Sequence, residues 1–118
     1  MSAMFQCSFL IPLRRDAEIS DAEVHALKEW DWLLNELEEH FGGWTRAPVT
    51  YEGAWKSAKT GRTVVDQSSR YEVAVAENQL DSLRLLLTEA CAVFQQQVIY
   101  LAVAGHVEFV PRPKHDPP

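Results

Sequence analysis

The stretch FGGWTRAPVTYEGAWKSAKTGRTVVDQSSRY, residues 41–71, joins two regular halves of the chain. Gly42-Gly43 follows an apolar-periodic run, and glycine takes the left-handed conformation that closes a helix without steric cost. Two β-prone runs, 44–57 and 62–76, flank Lys59-Thr60-Gly61, whose composition is typical of a tight turn. The stretch is therefore predicted to form a long β-hairpin.

Two residues of the first hairpin arm interrupt regular strand pairing. Pro48 has no backbone N–H, so this arm is expected at a sheet edge or at a bulge. Gly53 marks a second expected bulge.

The first part of the chain predicts one strand and one helix. Residues 4–13 alternate with the period of two that is typical of a β-strand. Ser20-Asp21-Ala22-Glu23 has capping-box spacing, which predicts a helix from there to about Phe41. Trp32 falls opposite the apolar stripe of that helix, where we expect it to lie partly exposed or to contact a partner subunit or the C-terminal tail. The stripe comprises Leu27, Trp30, Leu34, Leu37 and Phe41.

The last part of the chain predicts a second helix and a final strand. The helix begins at Glu77-Asn78, with Asn78 as its cap, and the glutamine run 95–97 ends it. Leu85 falls opposite the apolar face of this helix. Residues 98–110 form the strand, whose alternation Gly105 breaks. The apolar helix face comprises Leu80, Leu83, Leu87, Ala90, Cys91 and Phe94.

The order strand, helix, strand, strand, helix, strand predicts an α+β, ferredoxin-like βαββαβ fold. It forms a single domain over residues 1–110, with a four-stranded antiparallel sheet and two helices on one face. The first and third strands are central, and right-handed crossovers support this topology. Residues 111–118 are proline-rich and polar, and we expect an extended, largely disordered tail.

The sheet face opposite the helices is predicted to mix small, apolar and polar side chains. Such a face is too apolar to be wholly solvent-facing, so we expect a homodimer in which a second copy covers it. The alternatives are closure by the protein's own hairpin or tail, and a solvated sheet in a monomer. In the predicted register this face comprises Gln6, Ser8, Leu10, Arg70, Glu72, Ala74, Tyr100, Ala102 and Ala104.

Composition argues against several classes of protein. The 118 residues are 47% hydrophobic and 24% charged, as in an ordinary soluble domain. A net charge of −6 argues against non-specific nucleic-acid binding. No stretch approaches the roughly 20 apolar residues of a membrane span, and no charged region typical of a signal peptide precedes the first apolar run. Cys7 and Cys91 stand at apolar positions, so we expect buried, reduced thiols in a cytoplasmic protein.

No metal or cofactor motif is evident, and we expect neither group. His25, His40, His106 and His115 lack the spacing of metal ligands. The chain also lacks the glycine-rich phosphate loops and the nucleophile elbow of common enzyme families.

The hairpin carries most of the side chains that are able to do chemistry. Asp66 lies beside apolar residues, where a carboxyl group can have a raised pKa and act as a general base. Arg46 or Arg62 would then hold an anionic substrate. The alternative is that these side chains form cross-strand ion pairs on a solvated ribbon. No catalytic residue is assigned; the candidate ligand-binding residues, for several of which packing or a surface position is the simpler interpretation, are Arg46, Tyr51, Trp55, Asp66, Tyr71 and His106.

The pattern F-G-G-x-T, G-x-W, T-G, S-x-x-Y-x-V and F-x-Q resembles a family of small uncharacterised bacterial domains. The resemblance covers roughly residues 30–109, and its motifs are mostly glycines and aromatics that set geometry. That family carries no assigned activity, so the resemblance supports the fold layout and transfers no catalytic residue. The matching positions are Phe41, Gly42, Gly43 and Thr45; Gly53 and Trp55; Thr60 and Gly61; Ser68 or Ser69, Tyr71 and Val73; and Phe94, Gln96 and Val98 or Ile99.

We therefore expect a small cytoplasmic accessory protein that binds a small molecule or a protein partner in the cleft between hairpin and sheet. The alternative is a cofactor-independent enzyme, such as an isomerase, a lyase or a monooxygenase, with a pocket over the open sheet face. An enclosed apolar pocket containing Asp66, His106 or Tyr71 beside an arginine distinguishes the enzyme from the accessory protein. A third hypothesis, a structural assembly module, predicts a large buried interface and no pocket.

Overall fold

A computed structural model describes residues 3–114 and shows an α+β fold with an antiparallel sheet and two helices. The strands run in the order β2-β4-β1-β5-β6, and β3 pairs with the first half of β4. The elements are β1 (Met4–Pro12), α1 (Leu27–Phe41), β2 (Thr45–Arg46), β3 (Tyr51–Lys56), β4 (Thr63–Ala76), a 3₁₀ turn (Glu77–Gln79), α2 (Leu80–Val93), β5 (Val98–Val103) and β6 (His106–Pro111).

The sheet has six strands, so the prediction of four strands is wrong, and the fold is ferredoxin-like only loosely. The first predicted hairpin arm is divided because residues 47–50, which include Pro48, leave the ladder between β2 and β3. The last predicted strand is divided because Ala104 and Gly105 turn the chain back with φ values of 49° and 88°. As predicted, β1 and β4 are central.

The core lies between the sheet and the helices. Alternate residues of β1 and β4 face it, which is the period-2 burial that the sequence predicts. From α2 it takes the predicted apolar face, apart from Leu80, which is only partly buried. Both cysteines are buried, as predicted. The fully buried large side chains include Phe9, Ile11, Leu33, Leu37, Tyr71, Val75, Leu83, Leu87, Phe94, Ile99 and Leu101.

The first helix begins at Leu27, later than predicted. Asp21 accepts a hydrogen bond from the Glu23 amide at 3.1 Å, but the chain then forms an isolated bridge between Arg14 and Val24 instead of a helix. The carboxylate that caps the helix belongs to Glu29, which accepts the Ala26 amide. A side-chain hydrogen bond of this kind stabilises a non-helical turn as well as a helix, and residues 21–23 form the turn.

The predicted apolar stripe of α1 is shifted by the tertiary packing. Leu27 is 75% exposed, whereas Leu33, outside the predicted stripe, is fully buried. Trp32 is partly exposed, as one of the two interpretations expected, and its buried side packs on the core with its ring 6.5 Å from that of Phe94. Leu85, on the outer side of α2, is exposed as predicted.

The backbone confirms two of the four local features predicted for the helix ends and the hairpin. Gly42 closes α1 in the left-handed conformation, and the Ser57–Arg62 turn of the hairpin forms where expected. Asn78 does not cap α2, because a 3₁₀ turn precedes that helix. Gly53 is not a bulge; it pairs in register with Asp66.

At the C-terminal end of the described chain, Pro111 is the last residue of β6. The Arg112 amide donates to the Gln97 carbonyl at 3.2 Å. The rest of the predicted tail, residues 115–118, lies outside the described residues. No helix within residues 3–114 is long and apolar enough to cross a membrane.

Replacement of Gly42 by alanine should destabilise the protein by about 1 kcal/mol, because an L side chain is strained at its φ of 84°. A Cβ there meets no atom within 4 Å, so the cost comes from the backbone alone. Gly43→Ala is the matched control, since that site is equally open and has no positive φ. Urea unfolding measures both variants, and equal effects would contradict the assignment.

Candidate functional site

The sheet face away from the helices, here called the open face, has a floor of small side chains. Ser8 pairs with Ala102, and Ala104 follows on the same side. Larger side chains rise around them and leave an open hollow of about 350 Å³. Pairing of Ser8 with Glu72 and of Leu10 with Arg70 confirms the register predicted for this face. The hollow is lined by Gln6, Ser8, Arg70, Tyr100, Ala102, Ala104, Gly105 and Val107.

Arg70 is the cation at the edge of this hollow. Its Nη1 donates to the Tyr51 hydroxyl at 3.4 Å, and its Nη2 lies 3.2 Å from Glu72 Oε1. Its guanidinium also lies 5.5 Å from the centre of the Tyr51 ring. The hydrogen bond to Tyr51, followed by the charges around it, raises the pKa of Arg70 above its ordinary value. The guanidinium is only partly exposed, and its contacts with Tyr51 and Glu72 hold it in one place.

Gln6 lines both this hollow and a second one, which Glu72 also lines. Gln6 Nε2 donates to Glu72 Oε1 at 3.3 Å. Beyond Glu72 the open face has a shallow depression of about 310 Å³, which also includes Thr45 of β2 and Ala74. The open face therefore presents the Glu72 carboxylate in contact with both the Arg70 guanidinium and the Gln6 amide.

Asp66 lies on the same face, farther along the hairpin. Trp55 Nε1 donates to Asp66 Oδ2 at 3.2 Å, and Gly53 is the residue paired with Asp66 across the ladder. Burial raises the pKa of Asp66, the Trp55 hydrogen bond opposes that rise, and the charge of Asp16 adds to it. The direction of this shift is the one expected from the sequence for the Asp66 carboxyl group.

The structure places the six predicted ligand-binding residues in different environments. Tyr51, Trp55 and Asp66 lie together on the hairpin side of the open face. Tyr71 is fully buried in the core and stacks on Phe9 at 5.5 Å. The other two lie apart: Arg46 has its guanidinium over the Trp44 ring, and His106 is exposed beside the turn that joins β5 to β6.

Three residues of the site were absent from the set of predicted ligand-binding residues: Gln6, Glu72 and Arg70. The alternation of β1 and β4 predicts that all three lie on the open face. A polar side chain on a partly exposed sheet face is common, however, so its presence does not by itself indicate ligand binding. Arg70 and Glu72 are two residues apart in β4, whereas the contact of Gln6 with Glu72 is formed only by the pairing of β1 with β4. Within residues 3–114, no cluster of three or more His, Cys, Asp or Glu side chains is arranged to hold a metal ion.

Comparisons with known proteins identify a structural likeness and no sequence relative. No protein-family model matches the chain, and no curated protein sequence matches it. A phage SAM lyase in complex with S-methyl-5′-thioadenosine superposes with a TM-score of 0.71 at 12% identity, over 98% of this chain and 95% of that one. The phage SAM lyase in its apo state gives 0.64 at 11% identity, over 95% and 92%. At this identity the likeness shows the fold alone.

Replacement of Trp55 by phenylalanine should raise the pKa of Asp66 further, because it removes a donor that favours the ionised carboxylate. The measurement is an NMR titration of the Asp66 side-chain carbonyl. Trp44→Phe is the control, since Trp44 contacts Tyr71 and Arg46 instead. An unchanged or lower pKa in the Trp55 variant would show that the hydrogen bond does not act on Asp66.

Proposed function

We propose that the protein is a cofactor-independent lyase that cleaves a carbon–sulfur bond of S-adenosylmethionine or a close sulfonium relative. The observation that carries the proposal is the likeness to a phage SAM lyase over nearly the whole of both chains. It favours the enzyme alternative over the accessory-protein hypothesis. The hollow beside Arg70 is nevertheless not the enclosed pocket predicted for an enzyme, because it is open and is not lined by Asp66, His106 or Tyr71. Fold alone does not determine activity, so the groups on the open face must also suit the substrate.

Arg70 is the proposed anchor for the substrate carboxylate. A guanidinium donates two parallel hydrogen bonds to a carboxylate, and such charge-assisted bonds are the strongest available to a side chain. Glu72, 3.2 Å away, is then placed to face the positive charges of the same substrate, its ammonium and sulfonium groups.

Aromatic rings flank this charged pair. Tyr51 lies against Arg70, and Tyr100 forms part of the wall of the hollow, with its ring 6.0 Å from that of Phe109. Tyrosine rings attract cations through their faces and also stack on flat heterocycles such as adenine. The floor of serine and alanine side chains allows a ligand to approach the sheet closely.

The reaction needs no added cofactor, because the leaving group already carries the positive charge. When the bond to the aminobutyrate carbon breaks, its electron pair goes to sulfur and leaves neutral S-methyl-5′-thioadenosine. The carbon that loses sulfur takes a new electron pair from one of two sources. Either the neighbouring carbon loses a proton and a double bond forms, or the carboxylate of the fragment attacks and a ring forms. In both cases the protein's task is to hold charges in the geometry of the transition state.

Incubation of the purified protein with S-adenosylmethionine should yield S-methyl-5′-thioadenosine, measured by liquid chromatography. Arg70→Ala should lower kcat/KM about 10- to 100-fold, the cost of losing a charge-assisted hydrogen bond. Arg46→Ala is the matched control and should leave kcat/KM unchanged, because Arg46 lies over Trp44 away from the hollow.

The same experiment separates the enzyme from the accessory protein. Absence of product with wild-type protein would reject the lyase proposal for this substrate. Calorimetric titration with S-methyl-5′-thioadenosine then decides further: binding without turnover would support the accessory, ligand-binding hypothesis.

We also propose that a second copy of the chain covers part of the open face. Val107 and Phe109 of β6 are 51% and 64% exposed on that side. They adjoin the hollow and form its most apolar margin. Two-fold self-association is the commonest way in which a protein buries such a patch.

Light scattering or sedimentation should therefore give twice the 13.4 kDa mass of the chain. Phe109→Asp should shift the protein to the monomer, because it places a charge in the proposed interface. Leu85→Asp is the control, since Leu85 is 67% exposed on α2, on the other side of the sheet. A monomeric wild-type protein, or equal effects of both variants, would reject the dimer.

A further inference from the structure

The connection between β1 and α1, residues 13–26, is here called the clasp. It contains little regular structure and is fixed by contacts at both ends. Near its start, the Asp16 amide donates to the Gln95 carbonyl at 2.9 Å. At its end, the His25 amide donates to the Leu13 carbonyl at 3.3 Å. Ala22, within it, has a φ of 60°, which is unfavourable for a residue with a Cβ.

His25 is the most deeply buried anchor of the clasp. It is 7% exposed, and its ring lies edge-on to Phe94 at 4.8 Å and to Trp30 at 5.5 Å. Its Nε2 lies 2.7 Å from the Pro12 carbonyl oxygen, so Nε2 carries the proton. Nδ1 is then left as a buried acceptor, and no donor among the described residues reaches it.

Protonation of Nδ1 would be costly in this site. The new N–H would have no acceptor, and the positive charge would lie among apolar rings. Two charged groups face the ring: the Glu29 carboxylate, which favours protonation, and the Arg15 guanidinium, which opposes it. They are paired with each other at 3.0 Å. Burial is the larger effect and lowers the pKa of His25 below its ordinary value.

The other anchor of the clasp holds the tip of the hairpin. The Glu18 carboxylate accepts the Ser57 hydroxyl and also Gln97 Nε2, the latter at 2.8 Å. Ser57 is 2% exposed, and its Oγ accepts the amides of Lys59 and Thr60. Lys59 Nζ donates to the Glu18 carbonyl at 3.1 Å. Loss of the clasp would therefore free the turn that supports the β3–β4 arm.

We propose that the clasp is a pH-sensitive latch, in which protonation of His25 releases residues 13–26 and with them the tip of the β3–β4 hairpin. An unfolded or released histidine is protonated more readily than the buried one, so acid favours the released form. The native anchor is fully stable above about pH 6.5, the ordinary pKa of histidine, and weakens as the pH falls below it. Carboxylates of ordinary pKa titrate about two units lower, so pH separates their effects, and the His25 variant below separates the effect of Asp66, whose pKa is raised by burial.

The test is amide hydrogen exchange by NMR at about pH 7.5 and about pH 5.5, corrected for the intrinsic exchange rate. Protection of the clasp and of the Gly61 amide should fall several-fold at the lower pH, up to a limit of about tenfold for one histidine, whereas amides of α2 should keep theirs. Equal loss throughout the molecule would mean global destabilisation and would overturn the latch. Unchanged protection of the clasp would overturn it as well.

Matched variants assign the effect to one residue. His25→Gln keeps an Nε2 donor for the Pro12 carbonyl but cannot be protonated, so protection of its clasp should no longer depend on pH in this range. His40→Gln is the control: His40 is exposed on α1, paired with Glu36, and its variant should behave as the wild type does. Persistence of the pH effect in His25→Gln would reject the proposal. If that variant does not fold, a direct titration of His25 in the wild-type protein decides, since an ordinary or raised pKa would also reject it.

Discussion

The antiparallel pairing of β1 with β4 fixes which side chains face the core and which face the open side. It matches Met4 with Ala76 and continues without interruption to Pro12 with Ser68. Because side chains alternate between the two faces, a shift of one residue would send the core outward. The strong alternation of phenylalanine, cysteine and isoleucine in β1 excludes such a shift, since it would expose four apolar side chains of β1.

Because of this pairing, β4 contributes side chains both to the core and to the candidate site. In β4, Tyr71 and Val73 face the helices, and Arg70 and Glu72 face the open side. The positions of the charged groups are therefore fixed by burial of their neighbours, and they need no dedicated loop. This arrangement supports the proposed site from the core side, and fixed charges of this kind are what the proposed reaction requires.

The hairpin beyond the core has a different kind of support. All six residues of β3 are exposed, so little apolar burial holds this arm in place. Its tip depends on polar contacts between Ser57, Glu18 and Gln97. Such contacts stabilise less than core packing and respond to protonation. The part of the open face nearest the core and the part on the hairpin therefore differ in rigidity.

Features that depend on local periodicity and on special residues could be predicted from the sequence. The strand β1, the apolar face of α2, the left-handed end of α1 at Gly42 and the composition of the open face all follow from alternation, helical spacing and glycine. These signals arise within a few residues, so no distant contact is needed to interpret them.

The start of α1, the packing of Trp32 and the contacts between site residues depend on tertiary packing and could not be predicted in this way. Asp21 is able to cap either a turn or a helix, and the bridge between Arg14 and Val24 selects the turn. Trp32 packs near Phe94, which lies far away in the chain. Arg70 meets Tyr51 through strand pairing. Each of these features depends on contacts between residues that are distant in the chain, and a local sequence pattern does not predict the free energy of such contacts.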